Sequence, residues 1–472
     1  MRISERPFRW WCLMVLFLGM GSLRAETTRV VALSWRDVVG KTRSHNLTLQ
    51  IAYQDYRFQR MEEWKAFSTF LPQVSYQGVG TRNIELPEFV FQINGLTQRV
   101  RVGTRYNVLH TFQLNWPLFT GGKRWAGWRA QRELRKSLAE ELRGKEATVI
   151  LNALQSYYQI LLGEMLVRVN RSALKAARAN LNQVEKFYQV GTASQLDLMR
   201  ARTRLAELEP ALLSARHQKQ LAVENLKFLL NLAPEDSLVV LDSLQIMDFL
   251  GPLARWSLAD MMELALQQRP ELQMMAHTAR AAGKQRTIAA SRFLPSVALS
   301  ASVEHQAQVD QLYPAATDYV RVKRALLTVQ FPLFQGAQRL LDYQQARIQH
   351  KKMQLQLEQF KQQVLLEVRR SYFRFQETSR KLEGLKEAAN ESAESLRLAR
   401  LYFRQGMATQ LEVLTAQLQY VQSLLNYHRG VFDYNMSQLQ LLQAVGQLDR
   451  IVQEAAPAGS RSVLEGREKS VD

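Results

Sequence analysis

The sequence predicts a mainly α-helical chain whose strands suit the wall of a membrane β-barrel, built as two copies of a helix–strand–strand–helix unit. Three observations carry this. Words in the first half of the 472-residue chain return in the second half at a near-constant offset. Long proline-free stretches place apolar residues at helical spacing. Four shorter segments, set between prolines, alternate apolar and polar side chains with a period of two. Composition agrees: 46% hydrophobic residues with 12 Pro and 22 Gly exclude disorder and collagen-like repeats, and 1 Cys excludes a disulfide scaffold.

Residues 1–25 have the layout of a secretory signal peptide, with a basic start (Arg2, Arg6, Arg9), an apolar stretch from Trp10 to Met20, and a small residue, Ala25, at the expected cut. About 11 apolar residues are too few to span a bilayer. The sole cysteine, Cys12, follows Arg9-Trp10-Trp11 instead of an apolar run, so it is not expected to carry a lipid anchor. The chain is therefore expected to be exported and not acylated.

The duplication comes next. Phe70-Leu71-Pro72-Gln73-Val74 returns as Phe293-Leu294-Pro295-Ser296-Val297, an offset of 223. Trp116-Pro117-Leu118-Phe119 returns as Phe331-Pro332-Leu333-Phe334, and Tyr157-Tyr158 as Tyr372-Phe373, now at 215. The first copy therefore holds 8 extra residues between Pro72 and Pro117, which argues for an exposed loop there. The expected layout is a first repeat over 26–230, a linker over 231–257, a second repeat over 258–446, and a polar, disordered tail over 447–472.

No proline falls between Leu118 and Glu209 or between Leu333 and Ala456, which permits very long helices. Met353, Leu357, Phe360, Val364, Val368, Tyr372 and Phe375 fall on one helical face. Residues 123–190 then make a helix of roughly 100 Å, matched by shorter helices of roughly 55 Å over 34–69 and 194–230. The second half repeats this over 336–404, 258–292 and 409–445. Pro210 predicts a kink near Glu209. Strands are expected at about 73–83, 105–119, 296–308 and 320–334. In an exported protein, segments of about ten residues with one apolar and one polar face fit a barrel with lipid outside and water inside. Trp116, Phe119, Phe331 and Phe334 are the candidates for an interfacial aromatic girdle.

An open sheet in lipid leaves unpaired edge groups, so four strands must close with those of other chains. Two chains give eight strands and a bore filled by side chains; three give twelve and a lumen. A homotrimer is thus the smallest assembly that conducts.

Each long helix ends on the same short turn. Val190-Gly191-Thr192-Ala193-Ser194-Gln195-Leu196-Asp197 is matched by Gln405-Gly406-Met407-Ala408-Thr409-Gln410-Leu411-Glu412. Glycine suits the left-handed helix end, and Ser194 with Asp197, or Thr409 with Glu412, reads as a capping box. Local physics asks nothing more of these turns than a well-made helix hairpin.

The duplicated layout, the FLP junctions, the WPLF/FPLF return and the two G-x-x-[ST]-x-x-[DE] tips together resemble the TolC family of outer-membrane efflux proteins, over roughly residues 33–446. The resemblance implies a trimer with a twelve-stranded outer-membrane barrel continuing into a long periplasmic α-helical barrel. It implies a passive exit duct for efflux or type I secretion, docked to a periplasmic adaptor (membrane fusion protein) and an inner-membrane pump of RND, ABC or MFS type. It assigns adaptor docking to Val190, Gly191 and Thr192 and to Gln405, Gly406 and Met407. It also implies an acidic ring at the tunnel mouth: Glu412 matches its first acid, while Thr415 occupies the second position and is not acidic.

Catalytic, cofactor and metal motifs are absent: the seven His lack metal-ligand spacing, and there is no Walker loop or dinucleotide fingerprint. The net charge of +19 is concentrated in three places. Lys123, Arg124, Arg129, Arg132, Arg135 and Lys136 open one long helix; Arg339, Arg347, Lys351 and Lys352 open the other. Arg99, Arg101, Arg105, Arg321, Lys323 and Arg324 fall near the outer loops, where lipopolysaccharide phosphates are one partner. Solvated helix faces and a lumen wall favouring anions are the other readings of the helix clusters. Nucleic acid is excluded as a partner by export and the lack of any recognition module. The competing class is a secreted periplasmic coiled-coil structural or adaptor-like protein with a small soluble sheet.

Overall fold

Residues 29–93 and 96–455 are described by a computed structural model of the chain; the expected signal segment lies outside them. The first half runs β1 (Val30–Leu33), α1 (Trp35–His45), α2 (Leu47–Ser68), β2 (Gln73–Arg82), β3 (Glu88–Ile93), β4 (Leu96–Arg101), β5 (Tyr106–Thr120), α3 (Lys123–Gln189) and α4 (Gln195–Leu230). After β6 (Ser237–Val240) in the connecting segment come α5 (Leu258–Gln268), α6 (Pro270–Ser291), β7 (Ser296–Val309), β8 (Tyr319–Gln330), α7 (Gln338–Arg404), α8 (Gln410–Ala444) and α9 (Asp449–Ala455).

The two long helices, α3 and α7, have 67 residues each, roughly 100 Å. On the strand side, α2, α3, α6 and α7 lie side by side in that order. On the far side α4 packs along α3, α3 meets α8, and α8 packs along α7. Two shorter helices laid end to end thus flank each long one. The helices expected as continuous over 34–69 and 258–292 are each two. Asn46 takes an extended conformation, accepts from Leu49 N at 3.2 Å, and caps α2. In the second copy the break falls at Arg269, because the proline that follows disfavours a helical residue before it. Both broken helices open with the same capping box, Ser34 with Asp37 and Ser257 with Asp260. Helix α4 continues through Pro210.

Strands β2, β5, β7 and β8 form one antiparallel sheet in that order. Side chains opposite one another across strands share a face. One face carries Val74, Leu114, Ala301 and Ala325 on one rung and Trp116, Leu299 and Leu327 on another. The opposite face carries Ser75, Gln113, Ser302 and Arg324 on one rung and Gln77, Thr111 and Glu304 on the next. Strands β2 and β8 have no partner on their outer edges among the described residues. The last expected strand stops at Gln330 instead of 334, because Pro332 cannot donate to a ladder. The segment expected as an exposed loop between β2 and β5 contains the antiparallel hairpin β3–β4.

The largest core lies midway along the long helices. Leu33, Tyr157, Tyr158, Phe249, Leu250, Met261, Leu439 and Ile451 meet there, drawn from both halves and from the linker. β1 and β6 pair in parallel, tying the segment before α1 to the segment between the halves. The buried amides of Asn435 and Gln438 hold the linker: Gln438 accepts from Phe249 N at 2.9 Å and donates to Met247 O at 2.8 Å. The Tyr157 hydroxyl donates to Asp242 at 2.7 Å; burial, and then that bond, raise its pKa well above the ordinary tyrosine value. Residues 447–472 were expected to form a disordered tail, but α9 occupies 449–455 with Ile451 fully buried; an amphipathic turn has a core surface to cover there. The rest of that tail lies outside the described residues.

Candidate functional site

The far ends of α3 and α7 are two turns of the same construction. Gly191 and Gly406 adopt φ of +76° and +77°, the left-handed conformation that ends a helix at low steric cost to glycine. Thr192 N then donates to Phe187 O at 2.8 Å, and Met407 N to Tyr402 O at 2.9 Å. In the first tip Ser194 Oγ and N donate to Asp197 Oδ2 at 2.6 and 3.2 Å, and Asp197 N donates back to Ser194 Oγ at 3.1 Å. The hydroxyl bond first, and the backbone bond second, hold the Asp197 carboxyl below the usual carboxylate range. In the second tip Thr409 N and Oγ1 donate to Glu412 Oε2 at 2.6 and 3.1 Å. Glu412 is thus committed to a cap, and Thr415 donates its hydroxyl to Leu411 O at 2.8 Å instead of offering charge. The caps fix the backbone and leave apolar side chains outward: Val190 is 72% exposed and Met407 66%.

At the opposite end, the sheet meets the helices through the girdle candidates. Trp116 pairs with Leu299, while Phe119 pairs with Val297 after a register shift between Pro117 and Phe119. Strict alternation puts Phe119 on the face opposite Trp116; the bulge brings both to the apolar face. Trp116 Nε1 donates to Phe70 O at 3.0 Å. Phe331 and Phe334 lie beyond β8, with Phe334 86% exposed.

Below Trp116 runs a ladder that sequence reasoning missed. Ring centroids step from Trp64 to Phe67 (5.9 Å), to Trp128 (6.2 Å), to Trp125 (5.1 Å) and to Phe70 (6.1 Å). Arg124, Arg129 and Arg132 stack on Phe70, Trp125 and Trp128 at 5.2, 4.8 and 5.8 Å. The available signal was the pair of aromatic residues three apart on each of two antiparallel helices, Trp64/Phe67 and Trp125/Trp128. The basic cluster opening α3 is therefore largely engaged. Arg124 also donates to Thr69 O at 2.9 Å, and Arg135 bridges Glu63 at 2.7 Å. In the other half Arg339 donates to Pro332 O and Leu333 O at 2.7 and 3.0 Å and lies over Phe293. Arg339 thus joins the end of β8 to the start of α7, while Arg124 and Arg135 join α3 to α2.

The outer basic group divides. Arg101 pairs with Glu88 at 2.7 Å, and Arg324 reaches both oxygens of Glu304 at 2.8 and 3.0 Å on the polar face. Arg321 and Lys323 form no ion pair among the described residues.

Residues 68–232 and 261–447 match the sequence model of the outer membrane efflux protein family. The alkaline protease secretion protein AprF of Pseudomonas aeruginosa is 22% identical over 351 residues, spanning 72% of this chain and 69% of AprF. Crystal structures of CusC superpose with a TM-score of 0.73 at 19% identity, over 90% of this chain and 95% of CusC. The open-state MtrE channel of Neisseria gonorrhoeae gives 0.72 at 16%, over 88% and 89%. Both share the barrel strands and long helices described above. The chain belongs to the outer membrane efflux protein family, channels of the Gram-negative outer membrane that extend into the periplasm.

Proposed function

We propose that this chain is the exit duct of a tripartite efflux or type I secretion system, passively conducting substrate from a periplasmic adaptor and its inner-membrane pump to the outside. The observation that carries the reading is the two-faced sheet with free edges at β2 and β8. A soluble coiled-coil protein has no use for an outward apolar face; a barrel closed across chains does. Twelve strands from three chains enclose a lumen, and the helices α2, α3, α6 and α7 continue each four-strand wall into the periplasm. AprF is named for protease secretion, which supports protein cargo for this duct as well.

In this reading Val190, Gly191 and Thr192, with Gln405, Gly406 and Met407, dock the adaptor. Exposed Val190 and Met407 provide the apolar contact and the capping boxes hold the turns rigid, so little order is lost on binding. A ring of Glu412 narrows the mouth, with its carboxylates already engaged by Thr409. Trp116, Phe119, Phe331 and Phe334 sit at the inner interface of the outer membrane, joined by the Trp/Arg ladder on α2 and α3. Energy and cargo choice reside in the pump, so the duct itself performs no catalysis.

The test is the mass of the native particle extracted in detergent from separated outer membranes. A trimer of the processed chain is expected. A soluble periplasmic monomer or dimer would remove both barrel and duct.

A further inference from the structure

On the apolar face of the sheet the side chains change character along the strands. Near the helices the face is Val329, Leu327 and Ala325 on β8, opposite Val297, Leu299 and Ala301 on β7. The next rungs pair Val303 with Lys323 and His305 with Arg321. The His305 rung continues across β5 as His110, and the Tyr76 hydroxyl is hydrogen-bonded to His110 Nδ1 at 2.7 Å. One rung further, Ala307 pairs with Tyr319, whose ring lies 5.8 Å from His110. On β8 the alternation reverses at this level, with Val320 and Val322 on the other face.

The height of these cations is set by strand geometry. Arg321 lies nine residues beyond Gln330, and at about 3.3 Å per residue and a tilt of about 40° that is roughly 23 Å above the strand base. An outer-membrane barrel has an apolar band about 25 Å tall. Arg321 therefore lies just inside the outer edge of this band and reaches the headgroup level with its side chain, as Lys323, roughly 18 Å up, does by extending its stem. Glu304, the acid nearest in register, faces the other way and is held by Arg324. Two cations with no ion pair among the described residues, on a lipid-facing wall and flanked by two histidines and two tyrosines, have anionic headgroups as their natural partners.

We propose that Arg321 and Lys323, supported by the His110–His305 rung, form a docking site for the phosphorylated sugar headgroup of the outer-leaflet glycolipid. Guanidinium and ammonium groups take the phosphates, while tyrosine and histidine edges hydrogen-bond the sugar. The inference rests on the closed barrel proposed above, since only closure gives this face to lipid.

The experiment titrates the detergent-purified full-length oligomer with diphosphorylated lipid A, its dephosphorylated form, phosphatidylglycerol or inorganic phosphate, and reads bound species by native mass spectrometry. Diphosphorylated lipid A is expected to be retained preferentially. Arg321→Gln with Lys323→Gln should weaken it about twenty-five-fold, roughly a factor of five per cation. Arg324→Gln with Glu304→Gln, on the opposite face, should leave it unchanged. Unchanged retention in the first double variant overturns the proposal. So does equal retention of the dephosphorylated lipid or of phosphatidylglycerol, or displacement by millimolar phosphate. The same spectra report oligomeric mass: an intact oligomer without lipid preference overturns this inference alone, whereas a monomer also removes the barrel on which it rests.

Discussion

Gly121 stands where the last strand residue of one half turns into a 67-residue helix, and its environment allows a worked prediction. Its φ is +62°, and an added Cβ would lie 2.5 Å from Ser291 O and 2.9 Å from Leu294 Cβ. Its neighbour Gly122, at φ +84°, has open space around the same position. Alanine at Gly122 incurs only left-handed backbone strain, about 1–2 kcal/mol. Alanine at Gly121 adds an overlap with a backbone carbonyl that cannot swing away, typically another ~1–3 kcal/mol. The matched pair therefore isolates the packing term. The assay is the temperature at which the detergent-resistant oligomer collapses on a semi-native gel. At about 2–4 °C per kcal/mol, Gly121→Ala should melt several degrees below Gly122→Ala. Equal midpoints, or a lower one for Gly122→Ala, would refute the claim that Gly121 is the packed joint between the two halves.

Gly191→Pro combined with Gly406→Pro removes the N–H groups that donate to Tyr188 O and Phe403 O and forbids the left-handed turn; oligomers should persist while export is lost, and normal export would take the tips out of the mechanism. Arg269, 8% exposed at its side chain, pairs with Glu367 at 2.7 Å and Glu271 at 3.1 Å; Arg269→Met should destabilise by about 2–4 kcal/mol in urea titration, with partial recovery on adding Glu367→Gln. Asp197 has a folded pKa below its ordinary 3.8, so its cap is fully formed above that value and is lost as pH falls through the lower folded one. Hydrogen exchange corrected for intrinsic rate should therefore show the Gln195–Leu198 turn losing protection on acidification in the native chain, and an Asp197→Asn chain already lacking it at neutral pH.

The strands and long helices were legible because prolines and the duplication mark their ends: Gln73, Ser296, Lys123 and Gln338 fall within a residue or two of the expected starts. The capping residues at both tips were legible for the same reason, since a box is written in four consecutive positions. What escaped is what depends on distance along the chain. The four-residue strands β1 and β6 pair although some two hundred residues separate them, and neither is long enough to show a period. The hairpin β3–β4 hid in a segment that length comparison marked only as an insertion. The break at Asn46 looked like continuous helix because asparagine is tolerated inside one; only its reach to Leu229 O at 2.8 Å reveals the corner. The Trp/Arg ladder needed the antiparallel register of α2 and α3, which no local pattern supplies.

The free edges of β2 and β8 have a consequence for how the protein is made. A single chain presents two unsatisfied rows of backbone groups, so a monomer entering the bilayer alone stands at an energetic disadvantage that only its neighbours remove. Insertion and association therefore become one event, steeply dependent on local chain concentration in the proposed trimer. Genetics inherits that coupling. A variant with one spoiled edge still offers its sound edge to intact chains, captures them in rings that never close, and behaves as dominant over the wild-type allele. The yield of working ducts then falls with the cube of the intact fraction.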